Sequence, residues 1–229
     1  KSGAAFERFG TIRHIAIDKT GTLTRGKPQV AAVRSVPSVT MDVALEWAAA
    51  LEQHSSHPIA TAITAAPVVP TATDVTEQAG HGIEGWVDGD RIAIGSPRWL
   101  SPGPLATDTA ELEEAGMTTV VLHVNGEAVA VIGVRDELRE GAADAVAALK
   151  KQGIGITMLT GDNARTAKAI AAQAGITDVR AELRPEDKVA AVEELSQVAM
   201  IGDGINDAPA LAVADIGIAM GVGGADVAI

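Results

Sequence analysis

One heptapeptide constrains this chain more than any other stretch: Asp18-Lys19-Thr20-Gly21-Thr22-Leu23-Thr24. It follows an apolar run, Ile12 to Ile17, that reads as a short buried strand. An acid at the carboxyl end of a parallel strand stands where open α/β sheets place their ligands. Gly21 permits a sharp backbone turn, and Thr20 and Thr22 bring hydroxyls to it. That combination suits a carboxylate nucleophile attacking a phosphoryl group. A strand end merely capped by Asp, with Lys19 in solvent, would not need the whole string.

The residue two positions after Asp18 narrows the chemistry. Phosphatases of the haloacid dehalogenase type carry a second Asp there, as general acid and base. Here the position holds Thr20, which relays no proton at neutral pH. An aspartyl phosphate on Asp18 is therefore expected to persist, as suits a machine that couples phosphorylation to motion. The heptapeptide resembles the phosphorylation motif of the P-type ATPases, ion pumps that cycle through an aspartyl phosphate.

Three further strand-to-loop junctions bear on the same chemistry. Gly202-Asp203-Gly204-Ile205-Asn206-Asp207 follows the apolar Val198 to Ile201 and gathers two carboxylates and an amide in one Gly-rich turn, a hard-oxygen set that favours Mg²⁺. Through Leu211 this string also resembles the P-type pumps. Thr160-Gly161-Asp162-Asn163 follows a strand, Ile154 to Leu159, and opens a helix. Its hydroxyl and free N–H groups can hold phosphate oxygens, or Asp162 and Asn163 can serve as ordinary caps. Pro185 begins another helix with Lys188 in its first turn, where a cation opposes the local dipole. In the family the matching Lys neutralises the phosphoryl group. The resemblance thus implies Asp18, Lys188, Thr160 and Asp207 as the catalytic set. Thr20, Gly161 and Asn206 would hold phosphate, and Asp18, Asp203 and the Thr20 carbonyl would hold Mg²⁺. Without ligand, the carboxylates of Asp18, Asp162, Asp203 and Asp207 are expected to repel one another.

The distance from the first junction to Thr160 predicts an inserted domain. The expected fold is α/β: a haloacid-dehalogenase-like doubly wound parallel sheet formed by residues 1–27 and 134–229, with an inserted α+β antiparallel-sheet domain over 28–133. Within the insert, Met41 to Glu52 has helical spacing, a second helix runs from Pro58 to about Ala66, and strands are expected at 83–87, 91–95, 119–124 and 128–134. Asp88-Gly89 and Asn125-Gly126 read as hairpin turns. After the insert, 137–151 reads as one helix. The connection from Glu193 to Val198 is shorter than helix-to-strand geometry ordinarily allows.

Ser55-Ser56-His57-Pro58 and Gly80-His81-Gly82 mark the insert's own site. Read from the residues, His57 is a capping histidine before Pro58, and the glycines allow a flat ligand to approach. The pair resembles the nucleotide-binding domain of the heavy-metal P-type ATPases, which implies an adenine pocket of Glu52, His57, Gly80 and Gly82, with Gly95 beside it. That family usually has Glu where Ser56 stands here. The insert contains no Phe and the chain no Tyr, so stacking on either is excluded. Trp47, Trp86 and Trp99 are expected in the core.

A formal charge of −12 argues against nucleic acid and anionic membrane surfaces as partners, and the absence of cysteine excludes disulfides and thiolate metal sites. No apolar run approaches the roughly 18 residues of a membrane span. The resemblance therefore implies that the chain is the cytoplasmic ATP-binding and phosphorylation portion of a pump in the cell membrane. Mg²⁺ and ATP would be its cofactors, the actuator domain and membrane helices of the same full-length chain its partners, and the portion itself monomeric. A soluble phosphatase with a cap domain is the alternative, opposed by Thr20.

Overall fold

The computed structural model describes residues 8–64, 70–78, 80–203, 207–221 and 224–228, without the side chains from 221 onward. In chain order, strand β1 (His14–Asp18) precedes β2 (Gln29–Ser35), helix α1 (Met41–Glu52), α2 (Pro58–Ile63), β3 (Ala72–Gln78), β4 (Gly82–Val87), β5 (Asp90–Gly95), α3 (Ala106–Glu114), β6 (Thr118–Val124) and β7 (Glu127–Arg135). Then follow α4 (Ala142–Lys151), β8 (Gly155–Leu159), α5 (Ala164–Ala174), β9 (Asp178–Arg180), α6 (Pro185–Glu193), β10 (Val198–Gly202), α7 (Ala208–Val213), β11 (Ile216–Gly221) and β12 (Gly224–Ala228). The chain divides into two compact units, Lys1–Gly26 with Glu137–Ile229, and Lys27–Asp136.

The first unit is a six-stranded sheet in the order β12-β11-β10-β1-β8-β9, parallel except for β12. The central strand is β1, buried on both faces, and it reads as an almost unbroken apolar run for that reason. Its two neighbours fix the site by register. Asp18 lies level with Leu159 of β8, and Ile17 level with Ile201 of β10. Thr160 and Asp203 therefore lie just beyond the level of Asp18 on either side. The strand order reverses at β1, the switch point where doubly wound sheets bind ligands.

The second unit is an antiparallel sheet in the order β2-β7-β6-β5-β4-β3. Helices α1 and α2 cover one face, over a core that includes Leu51, Ile83, Ile92, Ile94, Leu122 and Ile132. The other face packs Leu105, Leu112, Met117 and Val131. Burying such side chains contributes about 1.5–3 kcal/mol each, so each unit has its own hydrophobic core.

Several local expectations need correction. The helix expected over 137–151 begins only at Ala142, because Leu138 pairs with Thr24 and Gly141 sits at φ 77, outside helical geometry. Helix α2 ends at Ile63 rather than near Ala66. Strand β3 was not expected: its sequence, Ala-Thr-Asp-Val-Thr-Glu-Gln, carries little apolar alternation, and as an edge strand it needs little. The connection after Glu193 closes in four residues, with Gln197 in the left-handed region at φ 53 and its carbonyl accepting from the N–H groups of Arg13 and His14. Trp86 is 45% exposed rather than in the core, since it falls on the outward phase of β4. Among the described residues, no helix is long and apolar enough to cross a membrane.

Candidate active site

The turn after β1 is locked from within. The Thr24 N–H and hydroxyl both donate to the Lys19 carbonyl, at 2.9 and 3.0 Å, and the Gly21 N–H donates to the Thr24 hydroxyl at 3.2 Å. Gly21 takes φ 74, a conformation that costs a side-chain-bearing residue strain. From outside, Arg139 donates to the Gly21 carbonyl at 2.7 Å. The carboxylate this turn presents, Asp18, is 4% exposed.

Lys188 is the hub. Its ammonium donates to Asp18 Oδ1 at 2.6 Å and to Asp207 Oδ1 at 2.7 Å. Helix α6 delivers it, starting at Pro185 and held by the Asp187 carboxylate accepting from the Arg184 N–H at 2.9 Å. Asp207 comes this close because Gly202 has no side chain; a Cβ there would stand 2.5 Å from Asp207 Oδ2. Burial pushes the Asp18 carboxyl up to about 6, with the Lys188 charge opposing and the Asp207 and Asp203 charges reinforcing. Burial pulls the Lys188 ammonium down, but Asp18 and Asp207 outweigh it and raise it.

A second ion pair, Lys19 with Asp162, joins the β1 turn to the β8 loop. The repulsion expected among the four carboxylates is thus offset at three of them, Asp18 and Asp207 by Lys188 and Asp162 by Lys19. Thr160 is buried, and its hydroxyl accepts from the Asp162 N–H at 3.1 Å. Asn163 caps α5, its side-chain oxygen accepting from the N–H groups of Arg165 and Thr166 at 3.0 Å each. Gly161 passes close under the Leu183 carbonyl, 3.3 Å from where its Cβ would be. Thr20 is exposed on the turn. Asn206, expected at the phosphate, lies outside the described residues.

Two features bear on whether phosphate and Mg²⁺ fit here. The Thr22 hydroxyl is buried without a hydrogen-bond partner among the described residues, as a donor awaiting an oxyanion would be. Asp203 acts electrostatically on Asp18, and its Cβ lies 3.8 Å from the Cβ position of Gly21, so two carboxylates flank the turn. Among the described residues no group of three or more His, Cys, Asp or Glu is arranged around a metal. Mg²⁺ needs no such cage, since it keeps waters and takes phosphate oxygens beside one or two carboxylates. The donor set fits.

In the insert, Glu52 closes α1 and His57 caps α2, its Nδ1 accepting from the Ile59 N–H at 3.2 Å. The two are linked through Ser55, whose N–H donates to the Glu52 carbonyl at 3.0 Å and whose hydroxyl accepts from the His57 N–H at 3.2 Å. Gly80 is open, with nothing within 4 Å of its Cβ position. Gly82 and Gly95 pair across β4 and β5, and their Cβ positions lie 2.8 and 2.5 Å from the Trp99 ring. Close packing against Trp99 by itself requires glycine at these two positions. A cavity of about 530 Å³ lies elsewhere in the insert, lined by Val36, Ser101, Pro104 and His123 among others.

With this geometry described, the likeness to known proteins is specific. The haloacid dehalogenase-like hydrolase family matches residues 12–215. The chain is 43% identical to a probable copper-exporting P-type ATPase V of Mycobacterium tuberculosis, and 44% identical to a zinc/cadmium/lead-transporting P-type ATPase of Escherichia coli. In both cases the match covers the whole chain and 32% of the relative, so the chain spans about a third of the length of these curated relatives. It also superimposes with a TM-score of 0.73, at 31% identity, on the catalytic domain of the CPx-ATPase CopB-B, studied for its conformational changes upon nucleotide binding, covering 96% of this chain and 85% of that one.

Proposed function

From the premise that the chain belongs to the haloacid dehalogenase-like hydrolases and, among them, to the P-type ATPases, we propose that it is the ATP-binding and phosphorylation unit of a membrane pump that exports transition-metal cations. The unit of residues 1–26 and 137–229 would be the phosphorylation domain and the unit of 27–136 the nucleotide-binding domain, within three residues of the bounds expected from the sequence. This portion would work on the cytoplasmic side of the cell membrane, with the actuator domain and membrane helices of its full-length chain as partners. The observation that carries the reading is the buried Asp18 nucleophile clasped by Lys188.

Asp18 must be ionised to attack the terminal phosphorus of ATP, and the Lys188 ammonium favours that form against the cost of burial. As the bond to ADP breaks, charge develops on the transferred oxygens. Lys188, the Thr22 hydroxyl and the N–H groups at the Thr160 turn are the donors that would meet it. Asp207 holds Lys188 in place through its 2.7 Å contact with the ammonium. Mg²⁺ bound by Asp18, Asp203 and the Thr20 carbonyl would supply charge neutralisation. In the insert, Glu52, His57 and Gly80 would surround the adenine, with Gly82 and Gly95 shaping the strands beneath it. Thr20 offers no acid or base for hydrolysis, which disfavours the phosphatase alternative.

Incubation with γ-labelled ATP and Mg²⁺, followed by acid quench, tests this. The chain should take up hydroxylamine-sensitive label, lost entirely in Asp18→Asn. Label retained in that variant would refute the assignment, and rapid multiple turnover of a generic aryl phosphate would move it to the phosphatase class.

A further inference from the structure

The turn that carries the nucleophile is built on a glycine that permits its conformation without selecting it. Thr20 lies at φ −78 and ψ 125, and Gly21 at φ 74 and ψ −11. These are the angles of the two central residues of a type II turn, here running from Lys19 to Thr22. Glycine takes positive and negative φ about equally readily. Rotating the Thr20–Gly21 peptide by half a turn gives the type I arrangement, which glycine also accepts. That rotation reverses the Thr20 carbonyl with little change to the chain on either side. The direction of this carbonyl is therefore set by what its peptide bonds to.

The group that sets it is the Thr24 hydroxyl. The Gly21 N–H belongs to the same peptide and donates to Thr24 Oγ1 at 3.2 Å. The hydroxyl's own proton goes to the Lys19 carbonyl at 3.0 Å, so Thr24 turns a lone pair to Gly21. Thr24 is fully buried and fixed in place: its N–H donates to the same Lys19 carbonyl at 2.9 Å, and the residue bridges to Leu138. Arg139 holds the next peptide through the Gly21 carbonyl at 2.7 Å, which leaves the Thr20–Gly21 peptide as the one to be fixed. In a trans peptide the C=O and N–H point in opposite directions. The Thr20 carbonyl accordingly points away from the Thr24 hydroxyl.

We propose that Thr24 is a positioning residue for Mg²⁺: its hydroxyl holds the Thr20–Gly21 peptide in the orientation that offers the Thr20 carbonyl to the metal. This rests on the reading above, in which Asp18, Asp203 and that carbonyl take Mg²⁺. Magnesium demands near-ideal octahedral geometry, so a carbonyl free to turn over is a poor ligand for it. Thr24 touches neither metal nor nucleotide in this role and acts only through the peptide it holds. The coupling is reciprocal: metal on the Thr20 carbonyl should in turn keep the Gly21 N–H on Thr24.

The test is a titration of the 229-residue chain with Mg²⁺, followed by the backbone amide resonances of residues 18–24, in the wild type, Thr24→Ser and Thr24→Val. Serine keeps the hydroxyl, and valine keeps the bulk without an acceptor. Mg²⁺ affinity should fall about fivefold in Thr24→Val, the scale of one net hydrogen bond, and match the wild type in Thr24→Ser. Should valine prevent folding, the wild type alone decides: saturating Mg²⁺ should slow hydrogen exchange at the Gly21 amide. Unchanged Mg²⁺ affinity in Thr24→Val, an equal loss in Thr24→Ser, or Gly21 exchange indifferent to Mg²⁺ would overturn the proposal while leaving phosphorylation of Asp18 intact. Absence of any Mg²⁺ shift at 18–24 in the wild type would overturn the metal assignment as well.

Discussion

At the carboxyl end of the parallel sheet, buried acids come with lysines: Asp18 and Asp207 share Lys188, and Asp162 holds Lys19. The insert buries two acids of its own, Glu52 and Glu113. Glu113 takes the Thr119 hydroxyl at 3.1 Å, and Glu52 takes nothing that the described residues supply. The first region is charged in advance, so its ionised nucleophile is ready before substrate arrives. The second sets Glu52 beside a like charge, Glu77, with no ion pair among the described residues to offset it.

Removing the shared cation should break this contrast most severely. Lys188→Ala leaves two buried carboxylates without a counter-charge, and breaking a buried pair in this way costs about 3–5 kcal/mol. Urea unfolding at pH 7 should show that loss, and phosphorylation should fail. A loss under about 1 kcal/mol would mean that solvent already screens the cluster.

Neutralising each acid in turn sharpens the comparison. Both Asp18 and Glu52 have their folded-state values raised, to about 6 and about 7. Each therefore favours folding below its unfolded value near 4, and that contribution is lost as pH rises through the folded value. Asp18→Asn and Glu52→Gln should both stabilise the chain at pH 8, on the order of 1–3 kcal/mol, with no gain at pH 4. The gain should be larger for Glu52, which has no counter-ion to lose. Denaturant midpoints across pH 4–8 would show it, and equal gains would erase the distinction. On the catalytic side, phosphorylation should rise about tenfold per pH unit up to about 6 and then level, since only ionised Asp18 attacks.

Much of the first region could be read from the chain. Asp18, Thr160 and Asp203 each end a strand that is apolar enough to be recognised, and parallel register then brings them level. The ion pairs could not be read, because they depend on how far Lys188 reaches from α6 and on Gly202 admitting Asp207. The insert was less legible for a related reason. Whether Glu52 has a partner depends on β3, a polar edge strand with a register shift between Thr73 and Thr76 that leaves no clear pattern in the sequence. Gly82 could be read as a glycine that admits a ligand, but it is equally a glycine that admits Trp99.

That last point predicts a smaller effect. Gly82→Ala would put a Cβ 2.2 Å from the Ile94 carbonyl and 2.8 Å from the Trp99 ring. Such overpacking costs about 1–3 kcal/mol, and it should appear as a loss of stability of the insert in hydrogen exchange. Unchanged protection in β4 and β5 would show that the strands part more easily than this packing implies.

The proposed function depends most on Asp18 forming an acyl phosphate that Thr20 cannot hydrolyse. The decisive measurement is the decay time of the hydroxylamine-sensitive label on Asp18, in the wild type and in Thr20→Asp. Thr20 is exposed on its turn, so the substitution should be tolerated. A placed general acid–base typically contributes 10²–10⁴-fold, so the label should persist in the wild type and decay at least about 100-fold faster in the variant. Equal decay in both proteins, or no label in the wild type, would contradict the account.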